Sequence, residues 1–90
     1  MSVTIRIPAL WQPIVGAHLV EAQAGDVSEA LQALVARCPK LQSQLYDEKG
    51  NVRDVLHVFV NNEHIRFYGG LAAPLHDGDE VYIVPMISGG

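Results

Sequence analysis

One stretch of the chain carries helical periodicity over about three turns: GDVSEALQALVARCP, residues 25–39. Val27, Ala30, Leu31, Leu34, Val35 and Cys38 recur at i, i+3, i+4, i+7, i+8 and i+11 and make one apolar stripe. Asp26 is the expected N-cap, and Glu29 three places on completes a capping box with Asp standing for Ser or Thr. Arg37 falls in the last turn, where it complements the helix dipole. Pro39 pushes Cys38 out of the helical region and stops the helix. A helix with a single apolar side covers only one face of a sheet. The other elements of this 90-residue chain must supply that sheet.

Period-two segments supply it. In VTIRI, Val3, Ile5 and Ile7 face one way and Thr4 and Arg6 the other, as in a half-buried strand. ALWQPIVG reads as a connection closed by Gly16, and AHLVEA as a second strand pairing with the first. After the helix, PKLQSQL sets Leu41 and Leu45 one turn apart in a short helical piece. YDEKGNVRD is a polar loop. VLHVFVNNEHIRF reads as a hairpin turning at Asn61-Asn62, residues that tolerate positive φ. Gly69-Gly70 and Pro74 interrupt regular structure, and Asp77-Gly78 is a tight turn into EVYIVP. That last strand is apolar on both faces, which suits a central position, and regular pairing is expected to end at Pro85. The result is an α+β fold: a mixed sheet of four to five strands with one main helix on one face. The ubiquitin-like β-grasp is the best-known fold with this order of elements. Residues 1–85 form its single domain and 86–90 a flexible tail.

Composition removes several classes of function. The net charge is −4, and the six Lys and Arg residues are scattered, so no basic stripe is present for nucleic acid. No apolar run approaches the length of a membrane span, and MSVTIRIP lacks the pattern of a signal peptide. The expected location is cytoplasmic. The one cysteine excludes an internal disulfide framework, and Cys38 is expected to be a buried structural thiol.

No phosphate-binding loop, dinucleotide fingerprint, zincin helix or nucleophile elbow occurs. His18, His57, His64 and His76 are spread over separate elements, and no metal site is expected. His57 reads as a partly buried strand residue. The Asp77-Gly78-Asp79-Glu80 group reads as a turn that starts a strand. No nucleophile–base pair stands out, so no catalytic residue is assigned. Arg66 is either a partner contact or a charge that keeps a strand edge soluble, and the second is favoured.

The carboxyl terminus is different in kind. MISGG follows a strand and ends on Gly89-Gly90, which add no packing. Lacking Cβ atoms, they can thread a narrow channel, and Pro85 to Gly90 can reach about 20 Å when extended. A terminal carboxylate is inert until activated, for example as an acyl-adenylate.

LAAPLHDGDEVYIVPMISGG resembles the carboxyl-terminal signature of the ThiS/MoaD family of ubiquitin-like sulfur carriers: a D-G-D turn, an apolar strand, a proline, a few small or apolar residues and Gly-Gly. VFVNNEHIRFYGGL is similar to the family's third and fourth strands and GDVSEALQAL to its helix start, while 8–18 and 39–54 match least. IRFYGGLAAPLHDGDEVYIVPMISGG is closest to the CysO-type carriers of cysteine synthesis. The resemblance implies a β-grasp body recognised by a ubiquitin-activating-type adenylyltransferase. That partner uses ATP to adenylate the Gly90 carboxylate, and a sulfur donor displaces AMP to leave a thiocarboxylate. Gly89 and the small Ser88 would give access to the partner's active site. The acceptor would be a PLP-dependent cysteine synthase. Alternatively the chain would be the small subunit of molybdopterin synthase, serving its large subunit, or a modifier joined to other proteins through Gly90. No cofactor is expected on the carrier itself, and an interaction domain with an idle tail is the remaining reading. Met86 and Ile87, past the expected end of pairing, are candidate docking residues. Phe59, Phe67 and Leu71 are candidates for a partner-facing patch, with core packing favoured for each.

Overall fold

The computed structural model of the protein describes residues 1–86. Strand β1 (Ser2–Arg6) pairs antiparallel with β2 (Leu19–Gln23), in register from Ser2 opposite Gln23 to Arg6 opposite Leu19. The segment between them is not a plain connection. A 3₁₀ turn, Ala9–Trp11, leads into the short helix α1 (Gln12–Val15), which Gly16 ends in the left-handed region. Pro13 sits near the start of α1, where its missing N–H costs nothing. The Gln12 amide donates to the Ile7 carbonyl at 3.0 Å. This arrangement buries Trp11.

Helix α2 spans Val27–Arg37. Asp26 caps it: its carboxylate accepts the Glu29 amide at 2.8 Å. Glu29 reaches back one residue further than a capping box requires and accepts the Gly25 amide at 2.7 Å. Val27, Ala30, Leu31 and Leu34 are buried, with Val35 and Cys38 packed at the margin. Cys38 is therefore only partly buried; Pro39 has turned it off the stripe (φ −135°, ψ 85°). A 3₁₀ turn at Pro39–Leu41 and the helix α3 (Gln42–Leu45) follow, and they place Leu41 and Leu45 in the core. The polar loop beyond them is tied down. The Asp47 carboxylate accepts the Lys49 and Asn51 amides, and the Arg53 side chain donates to the Ser43 carbonyl.

Strand β3 (Leu56–Val60) turns at Asn61 (φ +49°) and Asn62 (φ +75°) into β4 (Glu63–His64). β4 is only two residues long. The chain leaves the sheet in a 3₁₀ turn at Ile65–Phe67, because Ile65 must point into the core. A second such turn covers Gly70–Ala72. Gly78, at φ +85°, makes the turn into β5 (Glu80–Pro85), a conformation that other residues rarely adopt.

The sheet order is β2-β1-β5-β3-β4. β5 is central, parallel to β1 and antiparallel to β3, as its two apolar faces led one to expect. Val3, Ile5, Val20, Val58, Val60, Val81 and Ile83 point to the face that α2 covers, and all are buried. This is the ubiquitin-like β-grasp. The opposite face carries Thr4, Arg6, Glu21, His57, Phe59, Tyr82 and Val84, and among the described residues no helix lies over it.

Candidate functional site

The site begins where β5 ends. Pairing does not stop at Pro85. Pro85 lies opposite Leu56, and the Met86 amide donates to the Val55 carbonyl at 2.7 Å. A proline breaks a ladder only on the side where its own N–H would have donated. The backbone of Met86 is thus anchored, while its side chain is 53% exposed. Ile87, Ser88, Gly89 and Gly90, which carry the expected reactive carboxylate and its approach, lie outside the described residues.

Beside Met86 the uncovered face turns apolar. His57, Phe59, Asn62, Glu63, His64, Arg66, Phe67, Val84 and Met86 line one shallow hollow. A second lies on the other side of the two histidines, bounded by Arg53, Asp54, Leu56, Ile65 and Leu71. Phe67 and Leu71 are not core residues: they are 73% and 38% exposed. The early turn out of β4 sends Ile65 inward and leaves Phe67 outside. Phe59 is half-buried in the open face. Arg66 stands in the 3₁₀ turn rather than on a strand edge, with its guanidinium 5.5 Å from the centre of the Phe67 ring. Met86, Phe59, Phe67 and Arg66 therefore share one hollow, and Leu71 borders the adjoining one.

The histidines are not all dispersed. His57 Nδ1 and His64 Nε2 lie 3.0 Å apart. The signal for this was in the hairpin. A two-residue Asn-Asn turn sets Phe59 opposite His64, and His57 is the diagonal neighbour on the same face, within reach of long side chains. His64 Nδ1 also accepts the Arg66 amide at 3.1 Å and caps the 3₁₀ turn. Partial burial holds the His64 imidazole below its ordinary pKa, and the positive charge of Arg66 and the His57 ring add to this. Among the described residues no three His, Cys, Asp or Glu side chains converge as a metal site would require.

At the far end of β5 the acidic group serves as a turn. The Asp79 carboxylate accepts the His76 amide at 2.9 Å and the Asn61 side-chain amide at 2.8 Å. Asp77 accepts the Ser2 amide at 2.8 Å. These bonds join the start of β5 to β1 and to the β3–β4 hairpin. The exposed Arg6–Glu80 pair, at 3.4 Å, contributes little beside them.

The body is a small β-grasp with an uncovered apolar patch beside its last strand, and the solved structures that it resembles include a CysO and a small archaeal modifier protein. The sequence profile of the ThiS family matches residues 5–90, and the chain belongs to that family. It is 34% identical to the sulfur carrier protein CysO of Mycobacterium tuberculosis, over the full length of both chains. Its fold is similar to CysO of Amycolatopsis orientalis, solved in complex with BexX (TM-score 0.86, 34% identity, 98% of this chain and 99% of that one). It is also similar to the small archaeal modifier protein SAMP1 of Haloferax volcanii (TM-score 0.87, 28% identity, all of both chains). No helix among the described residues is long and apolar enough to cross a membrane.

Proposed function

We propose that this protein is a sulfur carrier whose reacting group is the Gly90 carboxylate. The observation that carries the reading is the full-length similarity to a sulfur carrier, with a family match that runs through Gly90 itself. In the proposed sequence a Gly90 oxygen attacks the α-phosphorus of ATP on a ubiquitin-activating-type adenylyltransferase, and pyrophosphate leaves. A sulfide-level donor then attacks the carbonyl carbon. The C–O bond to AMP breaks, AMP leaves, and Gly90 ends as a thiocarboxylate. Sulfur makes it a better nucleophile than the carboxylate it replaces. The carrier supplies no acid, base or bound cofactor and is a substrate of its partners, not an enzyme. The use of ATP is consistent with a cytoplasmic setting.

Similarity to CysO favours cysteine biosynthesis, with a PLP-dependent cysteine synthase taking the sulfur; the large subunit of molybdopterin synthase is the alternative acceptor. Gly89 and Ser88 form the narrow part that enters the partner's site, and Ile87 and Met86 lead into it. Phe59, Phe67, Leu71 and Arg66 form the docking patch. The complex of A. orientalis CysO with BexX supports recognition of a folded body of this kind by a partner. Similarity to an archaeal modifier protein favours a second reading, conjugation to lysines through Gly90.

Intact mass spectrometry after incubation with the cognate adenylyltransferase, ATP and a sulfide source tests the carrier reading. The expected product has one oxygen replaced by sulfur, and deletion of Gly90 abolishes it. An unchanged mass with demonstrably active partner would overturn the reading. Gly-Gly remnants on the lysines of other proteins would favour the modifier.

A further inference from the structure

The two histidines beside the docking patch admit only one arrangement of their protons. The Arg66 amide can only donate, so His64 Nδ1 must hold a lone pair and the neutral ring carries its hydrogen on Nε2. That hydrogen points at His57 Nδ1, 3.0 Å away, which must therefore accept. Neutral His57 then carries its own hydrogen on Nε2. Each ring has one lone pair, and both are engaged.

A further proton has no site that leaves this arrangement intact. On His57 it occupies Nδ1 and faces the His64 N–H. On His64 it occupies Nδ1 and faces the Arg66 N–H. Transfer of the shared hydrogen to His57 does not help, because His64 would then need its proton on Nδ1. A cation between the rings would likewise have to displace the hydrogen they share. Among the described residues the charged groups facing the pair are Arg66 and Glu63 on its own side, and Arg53 and Asp54 across the second hollow. Val84 from β5, Met86 just past its end, Phe59 from β3 and Leu71 from the second 3₁₀ turn face it without charge. Phe59 and His57 both meet the His64 ring edge to face, with centroids 5.1 and 5.2 Å away. The ring can leave its position only by breaking those contacts.

We propose that His57 and His64 form a proton-sensitive latch, which holds the Arg66–Phe67 turn in its docking geometry only while both rings are neutral. Loss of the cap frees the Arg66 amide, and Phe67, next to it, is the most exposed apolar side chain of the patch. Acidification then lowers the fraction of molecules competent to dock, and the apparent dissociation constant rises as the inverse of that fraction. The link from latch to docking rests on the reading of the patch given above; the latch itself does not.

The test follows the ring nitrogens and the Arg66 amide of the full chain by NMR from about pH 8 to pH 5, the range in which histidine titrates. The expected result is Nε2–H on both rings at high pH. The Arg66 amide resonance and its exchange protection should move with the ring titration. Nδ1–H on neutral His64, or an Arg66 amide that ignores the titration, would overturn the latch. His64→Asn keeps an acceptor for the i+2 amide but does not titrate, so its Arg66 amide should stay protected to the low end of the range. Affinity for the cognate adenylyltransferase is measured alongside. The wild type should weaken on acidification in proportion to the charged fraction read from the rings, and His64→Asn should not. An intact NMR response with unchanged affinity would remove the docking role and leave the latch.

Discussion

Asp79 is the residue on which the start of β5 depends. The His76 backbone amide does most to hold its carboxyl below the ordinary value of 3.8. Partial burial opposes this, and the Asn61 side-chain amide adds to the lowering. A carboxyl lowered in the folded state contributes stability that is fully present above its unfolded pKa. That stability is lost as pH falls from there through the folded value. Asp79→Asn replaces one acceptor oxygen with a donor and leaves one of the two amides unpaired. Urea unfolding at neutral pH should show a loss of about 1–2 kcal/mol. The variant's stability should also depend less on pH below about 4 than that of the wild type. Equal acid sensitivity in the two proteins would mean that Asp79 does not carry the effect. His64 has the opposite charge type and the same sign. Its lowered pKa means that stability tied to the neutral ring is present above about 6.5 and lost as pH falls.

Helix α2 owes its start to Asp26 and its position to its apolar stripe. The Asp26 carboxylate satisfies one of the amides that every helix leaves unpaired at its first turn. Asp26→Ala should cost about 1 kcal/mol and lower the midpoint of thermal unfolding by roughly 4–8 °C in a domain of this size. An unchanged midpoint would show that the Glu29–Gly25 bond is enough to cap the helix. The element was legible because the residues that define it lie within a dozen positions of one another. β4 was less so. HIRF reads as strand by composition, yet Ile65 has to reach the core and bends the chain into a 3₁₀ turn after two residues. Trp11 was missed for a related reason. Nothing near it in sequence shows that the turn before α1 will bury it in the core, where its indole N–H has no hydrogen-bond partner among the described residues.

At the scale of the whole molecule, α2 leaves one face of the sheet open, and Phe67 and Met86 are exposed beside it. Phe67 is 73% exposed, so Phe67→Ala should change folding stability by less than about 0.5 kcal/mol. Affinity for the proposed adenylyltransferase partner should fall about tenfold or more, the loss typical of an aromatic anchor at an interface. Calorimetry on the two proteins separates these effects. Wild-type affinity in the variant would place the contact elsewhere on the body.

Local chemistry determined much of this protein before any folding. It set the capped helix, the alternating strands, the Asn-Asn and Asp-Gly turns and the family signature at the end of the chain. Each depends on spacings of a few residues, which act through local backbone geometry and short-range side-chain contacts such as the Asp26 cap. Tertiary structure decided what depends on distant segments meeting. It placed β5 between β1 and β3, so that pairing carries past Pro85 to Met86. It turned Phe67 and Leu71 outward once Ile65 had taken the inward position. It also brought two histidines seven positions apart to 3.0 Å. The hairpin register made that approach possible, and the Arg66 amide determined which nitrogen of each ring carries the proton.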